Sequence, residues 1–123
     1  MIVYAPISVG ELVDKITILE LKLEFLTDSK KLENVNNELT HLNTLLSNLN
    51  IQDIIDYREN LKLVNKELWH IEDFKRNCEK NQTFNTEFIN AARQLYIKNE
   101  IRANIKKSIN ESSGSFIIEE KNY

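Results

Sequence analysis

Three polar residues of this sequence fall where the surrounding pattern is apolar, and they are the first candidates for chemistry. Asp14 lies on an apolar stripe of the first predicted helix, one turn before Ile18. Asn99 lies at the centre of the apolar stripe of the last predicted helix, and Arg102 follows three residues later. An unpaired buried polar group costs several kcal/mol, so we expect these side chains to bind one another or a ligand.

A second group of polar residues lies on the third predicted helix. Asn65, Glu72 and Arg76 stand at one edge of its apolar stripe, and Trp69 is beside them. Their position next to an aromatic side chain suggests that this helix contributes to the same polar region as the first and the last.

These polar residues have two main interpretations. In the first, an internal hydrogen-bonded network fixes the register of the helices, with Arg102 bound to Asp14 or Glu72. In the second, a pocket between the first, third and fourth helices binds a small ligand, and Trp69 and Tyr96 are its walls. The candidate ligand-binding residues are Asp14, Trp69, Glu72, Tyr96, Asn99 and Arg102. A third possibility is that the helices are rotated relative to this assignment, in which case these residues lie on the surface. The sharpest prediction is an ion pair between Asp14 and Arg102.

The sequence offers little for catalysis or metal binding. His41 and His70 are the only histidines, and they lie on different predicted helices without the HxxxH or CxxC spacing of a zinc site. Glu11 and Asp14 could in principle hold magnesium, but carboxylates this common on helices mostly face solvent. No glycine-rich phosphate loop and no Ser-His-Asp or Cys-His set is apparent. We therefore predict no catalytic residue, no metal site and no cofactor.

Length and composition predict one domain across residues 1–123, because 41% hydrophobic content in a chain of this length suffices for one core. The net charge of -3 argues against nucleic-acid binding. No apolar run approaches the ~20 residues that cross a bilayer, and the start of the chain lacks the features of a secretory signal. The single cysteine, Cys78, is expected in the core, and these features together predict a cytoplasmic protein.

Helical spacing dominates the chain, which contains only two glycines and one proline. Ser8 and Glu11 have the spacing of a capping box at the start of the first helix. The predicted fold class is all-α, and Gly114 should end the last helix because glycine takes a positive φ without strain. The four predicted helices lie near residues 8–26, 29–49, 51–80 and 86–112.

Apolar stripes suggest how these helices pack. The second and third helices each carry a seam with the spacing of a coiled coil, and a short connection capped by Asn50 predicts that they form an antiparallel hairpin. The first helix is apolar on two faces, which is typical of the centre of a bundle or of a subunit contact. We predict a homodimer through the stripe that contains Leu21 and Phe25. The terminal segments 2–4 and 116–123 could pair as a short β-ribbon.

Three segments carry a resemblance to a known family: PISVGELVDKITILELKLE at residues 6–24, ELWHIEDFKRNCE at 67–79 and IEEKNY at 118–123. On these segments the chain resembles an uncharacterised family of small helical proteins of bacteria and phages, nearly end to end. That family is a domain of unknown function, so it supplies no catalytic residues. Its members are sometimes encoded near glycosyltransferase and surface-polysaccharide genes, which implies a supporting role in that process.

Two families of helical enzymes are comparable, and the sequence departs from both. All-helical chorismate mutases present an arginine on their first helix, and the first helix here has none. All-helical nucleotide pyrophosphohydrolases bind magnesium through EExxE followed by ExxD, and this chain contains no EExxE. The sequence therefore favours a non-catalytic interaction or scaffold module, with a small-ligand-binding protein or an enzyme as the alternative. The expected partners are a second copy and another protein, with no nucleic acid and no membrane insertion.

Overall fold

Four helices form the regular structure of the computed structural model, which describes residues 1–121. They are α1 (Val9–Phe25), α2 (Ser29–Asn48), α3 (Ile55–Lys80) and α4 (Thr86–Ser113). No strand occurs among the described residues. The all-α prediction is therefore confirmed, and the predicted bounds of every helix except α3 agree with the structure to within one residue.

Local sequence sets the ends of α1 and α4. The backbone N–H of Glu11 donates to Oγ of Ser8 at 3.0 Å, which is the first half of the predicted capping box. The second half does not form, because the Glu11 carboxylate turns to Lys106 instead, with 2.6 Å between Oε2 and Nζ. Gly114 ends α4 as predicted, with a φ of 67°.

The start of α3 differs from the prediction, since this helix begins at Ile55 rather than at residue 51. Asn50 and Asp53 have φ values of 52° and 62°, in the left-handed region that a right-handed helix does not use. Asn50 is therefore part of the turn and does not cap α3. The capping position is taken by Ile54, whose side chain has no polar atom to offer.

The centre of the fold is α1, which packs against each of α2, α3 and α4. A short connection, residues 81–85, joins α3 and α4, which pack along each other. The predicted hairpin of α2 and α3 is wrong: among the described residues α2 packs along α1 and not along α3, and Leu46 near the end of α2 packs against the core cluster that includes Leu61. An apolar seam shows that a helix has a side to bury, but any stripe of suitable length can cover it.

Both apolar faces of α1 are covered within the chain. Val13 and Ile109 belong to the central core cluster, and neither is exposed at all. Leu21 is 1% exposed, and the ring of Phe25 stacks on Trp69 with 5.3 Å between centroids. The stripe that was predicted to form a subunit contact is therefore internal, and a homodimer would need a different surface.

The two chain ends meet through side chains and not through a β-ribbon. Residues 1–7 are exposed, and residues 115–121 form no strand, so the described part of the chain lacks the predicted ribbon. Oγ of Ser8 donates instead to Oε1 of Glu119 at 3.0 Å, which ties the C-terminal tail to the start of α1. The end of the predicted ribbon, residues 122–123, lies outside the described residues.

Candidate functional site

Asp14 and Arg102 form the ion pair that their positions in the sequence predict. Nε of Arg102 donates to Oδ1 of Asp14 at 2.9 Å, and Nη2 donates to Oδ2 at 2.5 Å. Two parallel hydrogen bonds of this kind are the strongest arrangement of a guanidinium and a carboxylate. Because Asp14 belongs to α1 and Arg102 to α4, the pair fixes the register between these two helices.

Asn65 and Thr17 complete the environment of the Asp14 carboxylate. Nδ2 of Asn65 donates to Oδ1 of Asp14 and to Oγ1 of Thr17, at 2.9 Å in each case. The Thr17 hydroxyl in turn donates to the backbone carbonyl of Asp14 at 2.8 Å. The buried carboxylate thus accepts hydrogen bonds from α3 as well as from α4, which compensates its removal from water. The network that was predicted as the first interpretation is therefore present.

Electrostatics keep this carboxylate charged. Burial raises the pKa of Asp14, but the hydrogen bonds from Arg102 and Asn65 and the charges of Arg102 and Lys106 outweigh it, so the pKa lies below its ordinary value. The hydrogen bond to Asp14 raises the pKa of Arg102. A carboxylate that holds its charge this firmly is poorly matched to proton transfer near neutral pH, so Asp14 acts as an anchor for Arg102.

Lys106 extends the network by one helical turn along α4. Its Nζ lies 2.6 Å from Oε2 of Glu11 and 3.4 Å from Oε1 of Glu119. The same Nζ is 4.0 Å from Oδ2 of Asp14. Two successive turns of α4 therefore present cations to two successive turns of α1, and the tail joins them through Glu119.

Gly10 allows α1 and α4 to approach closely beyond this cluster. Its backbone N–H donates to Oδ1 of Asn110 at 2.6 Å. A Cβ atom at this position would lie 2.5 Å from the backbone carbonyl oxygen of Lys106, a separation that real Cβ atoms do not adopt. Only glycine fits here without a displacement of one helix.

A cleft of about 470 Å³, which we call the α1/α3/α4 cleft, opens beside the ion pair between those helices. The indole of Trp69 forms one wall of it. Apolar side chains from all of these helices contribute to its lining: Ile18, Leu21, Leu68 and Leu95. Polar side chains complete the lining: Asn65, Glu72, Arg76, Asn99 and Arg102. The cleft is thus a mixed surface with both an apolar part and hydrogen-bonding groups.

Most of the candidate ligand-binding residues lie at this cleft. Those that line it are Trp69, Glu72, Asn99 and Arg102. Asp14 is 1% exposed and lies behind Arg102, away from the cleft surface. Tyr96 is not brought to the cleft, because it lies about 120° around α4 from Arg102 and is 58% exposed. Glu72 makes no ion pair with any described residue, so it is not the partner of Arg102.

The side of α4 that is turned away from α1 and α3 carries exposed apolar side chains between charged ones. We call it the outer face of α4, and its residues are Ile89, Ala92, Arg93, Tyr96, Ile97, Glu100 and Ile101. A hollow of about 560 Å³ lies along its first half. No pattern in the sequence indicates a role for this face.

Metal-binding groups do not gather in residues 1–121: no three His, Cys, Asp or Glu side chains there are placed to hold an ion. The ring of His70 meets Phe25 edge to face, with 5.2 Å between centroids, and His41 is exposed on α2. Cys78 is buried near the end of α3, where it was predicted. None of the helices in the described chain has both the length and the apolar character to span a membrane.

Sequence analysis missed Thr17, Lys106 and Glu119 as members of the polar cluster. The spacing of the charges could have indicated Lys106. Lys106 follows Arg102 by four residues and Asp14 follows Glu11 by three, and both spacings place two side chains on one side of a helix. Two cations therefore lie on one side of α4 and two carboxylates on one side of α1. Glu119 lies beyond the last helix, where no periodicity indicates which way a side chain points.

The fold and the polar cluster define a class of protein: an all-α domain of four helices whose central helix is fastened to the last one by buried ion pairs. The chain belongs to DUF6165, a family of unknown function, whose model matches residues 3–123. No curated protein and no solved structure matches it.

Proposed function

We propose that the protein is a non-catalytic interaction module in which two copies associate through the outer face of α4. The observation that carries this proposal is the arrangement of Arg93 and Glu100 on either side of an exposed apolar centre. The buried network supports a non-catalytic role, because Asp14 and Arg102 bind each other and Asp14 is shielded from solvent.

The outer face of α4 has the apolar exposure that an interaction surface needs. Ile89 is 57% exposed, Ile97 is 41% exposed and Ile101 is 40% exposed. Single exposed apolar residues are common on proteins, but several along one side of a helix form a continuous patch, and such patches mark contact surfaces. Burying this patch against another apolar helix would stabilise the complex through the hydrophobic effect.

Charge complementarity favours a second copy as the partner. Arg93 and Glu100 are seven residues apart, or about 10.5 Å along the helix axis, and lie on the same side of α4. When two copies of α4 pack antiparallel with the symmetry axis between Tyr96 and Ile97, Arg93 of each faces Glu100 of the other. Neither side chain forms an ion pair within residues 1–121 of its own chain. A patch with opposite charges at its two ends is complementary to a copy of itself rotated by 180°, which is the arrangement in a two-fold dimer.

Charge reversal tests this dimer without touching the core. We expect wild-type protein in sedimentation equilibrium to reach twice the 14.5 kDa chain mass at tens of micromolar. Arg93→Glu and Glu100→Arg each replace two attractions by two repulsions, so each should weaken dimerisation about tenfold. The double variant Arg93→Glu/Glu100→Arg restores opposite charges in the reversed order and should recover the wild-type association.

Lys31→Glu is the matched control, because Lys31 is exposed on α2, which does not pack against α4. It should leave the mass unchanged. A wild-type mass of 14.5 kDa up to millimolar concentration would reject the dimer. Equal effects of Lys31→Glu and Arg93→Glu would reject the register, and a double variant weaker than both single variants would reject the pairing of Arg93 with Glu100.

The proposal includes a supporting role in surface-polysaccharide synthesis, for which the resemblance to the family is the support. In a host that carries the gene, its deletion should alter the amount or length of surface polysaccharide. Complementation with the Arg93→Glu variant should fail if the role requires the dimer, and complementation with Lys31→Glu should succeed. Unchanged polysaccharide in the deletion strain would remove this part of the proposal and leave the dimer intact.

A further inference from the structure

Arg102 has hydrogen-bonding capacity that Asp14 does not use. A guanidinium carries five N–H groups, and Asp14 takes one from Nε and one from Nη2. Nη1 has only a long contact of 3.5 Å to Oδ1 of Asn99. The side chain is 29% exposed and lines the α1/α3/α4 cleft, so the remaining donors can reach a molecule inside it.

The orientation of Arg102 is fixed before any ligand arrives. Asp14 binds it through two parallel hydrogen bonds, and Asn65 holds the same carboxylate from α3. A donor that is already fixed loses little conformational freedom on binding, which favours affinity. Asn99 stands next to it on α4, and its amide group offers two further donors.

The charges around the cleft favour one carboxylate over a polyanion. Asp14 largely neutralises Arg102, and Glu72 adds a negative charge to the lining. Arg76 is the remaining cation, and it is bound to Asp73 with 2.5 Å between Nη2 and Oδ1. A phosphate dianion would therefore meet little net attraction, whereas a single carboxylate can accept hydrogen bonds from a neutralised arginine.

The rest of the cleft suits a flat apolar group. Trp69 provides an aromatic surface, and Ile18 and Leu95 provide aliphatic surface in the same cleft. Aromatic rings gain from stacking beyond the area they bury. The volume of about 470 Å³ lies within the range of small-molecule sites.

We infer that the α1/α3/α4 cleft binds a small aromatic carboxylate, whose carboxylate group accepts hydrogen bonds from Nη1 of Arg102 and from the Asn99 amide while its ring packs on Trp69. Asp14 and Asn65 are positioning residues in this arrangement, because they act through Arg102. The site lies on the side of α4 opposite the proposed dimer contact, so it does not depend on that contact.

Trp69 allows a direct test, because it is the only tryptophan of the chain and its fluorescence reports on the cleft itself. Benzoate titrated into the wild-type protein should change the emission saturably, with a dissociation constant of about 1 mM for so small a ligand. Benzyl alcohol has the ring without the charge, and acetate and inorganic phosphate have the charge without the ring. Each should bind at least ten times more weakly than benzoate.

Two substitutions separate the ligand site from the structural network. Asn99→Ala removes the amide and leaves the pair of Asp14 and Arg102 in place, so it should weaken benzoate binding about fivefold with an unchanged melting temperature. Arg102→Lys keeps a cation for Asp14 but removes Nη1, so it should weaken binding at least tenfold. Lys107→Gln, an exposed position away from the cleft, should have no effect on either quantity.

Several results would overturn the inference. No saturable change with benzoate at tens of millimolar would mean that Arg102 is a structural residue only. Equal binding of benzyl alcohol would indicate an apolar hollow without carboxylate recognition, and equal binding of phosphate would indicate a simple anion site. Full affinity in folded Asn99→Ala and Arg102→Lys would place the ligand elsewhere.

Discussion

The carboxylate of Asp14 and the guanidinium of Arg102 lie edge to edge, yet they are unequally buried: 1% of the Asp14 side chain and 29% of the Arg102 side chain are exposed. An arginine that loses its partner can still turn to solvent. A carboxylate in the position of Asp14 cannot, so the two residues should respond differently to removal of the partner.

We expect Arg102→Met to lower the free energy of unfolding by about 3 kcal/mol, because it leaves a buried carboxylate with Asn65 as its main hydrogen-bond donor. Asp14→Asn should cost less, about 1 to 2 kcal/mol, since the amide keeps the shape and Arg102 regains water. The double variant should lose clearly less than the sum. Urea unfolding followed by circular dichroism measures all of these values, and strict additivity would contradict a coupled pair.

The lowered pKa of Asp14 predicts a dependence of stability on pH. In the unfolded chain the carboxyl takes up a proton near its ordinary pKa of about 4, and in the folded protein it does so only at lower pH. The stability from this group is therefore fully present above pH ~4 and is lost as the pH falls through the lower, folded-state pKa. Other carboxylates also titrate there, so the informative quantity is the difference in unfolding free energy between wild type and Asp14→Asn. That difference should shrink as the pH falls below about 4; a constant difference would show that the pKa is not lowered.

The two glycines should differ in their tolerance of a methyl group. Gly10→Ala places a Cβ 2.5 Å from the carbonyl oxygen of Lys106, so α1 and α4 must separate, at a cost of roughly 2 to 4 kcal/mol. Gly114→Ala meets open space and suffers only from its φ of 67°, which costs about 1 kcal/mol. Thermal unfolding of the two variants compares them directly. Similar losses in both would show that the contact of α1 and α4 at Gly10 is looser than described.

A charge on the inner stripe of α1 should abolish folding, whereas a charge on exposed α3 should not. Leu21 is 1% exposed, so Leu21→Glu should cost more than about 4 kcal/mol and leave a chain without cooperative unfolding. Leu63 is 61% exposed, and Leu63→Glu should change stability by less than about 0.5 kcal/mol. A folded, monomeric Leu21→Glu variant would instead support the subunit contact that the sequence suggested for this stripe.

Sequence reasoning succeeded where the determinants are local. The cap at Ser8 and the terminator at Gly114 depend on neighbouring residues, and both are found where the pattern places them. The pairing of Asp14 with Arg102 could also be predicted, because each is a charged residue on an apolar helical face and each is the most suitable partner for the other. That argument uses the cost of an unpaired buried charge and needs no knowledge of the fold.

Sequence reasoning failed where the structure depends on which helices pack together, because that depends on the whole chain and not on neighbouring residues. The seam of α2 fits any apolar stripe of suitable length, and in the structure α2 packs on α1, whereas α3 packs on α1 and α4. Tyr96 was predicted as an aromatic wall of the pocket, but about 120° separate it from Arg102 around α4. The late start of α3 depends on left-handed conformations at Asn50 and Asp53, which periodicity does not reveal.

The central position of α1 also has a consequence for synthesis of the chain. Arg102 follows Asp14 by 88 residues, so at ordinary rates of translation it is made roughly 4 to 18 s after Asp14. α2 and α3 are complete before Arg102 is made and can already cover part of α1, but the part of α1 that packs on α4, around Gly10 and Asp14, has no native partner until α4 follows. A nascent chain of this kind exposes both an apolar surface and an unpaired carboxylate, which makes it a natural client for chaperones at the ribosome until α4 is complete.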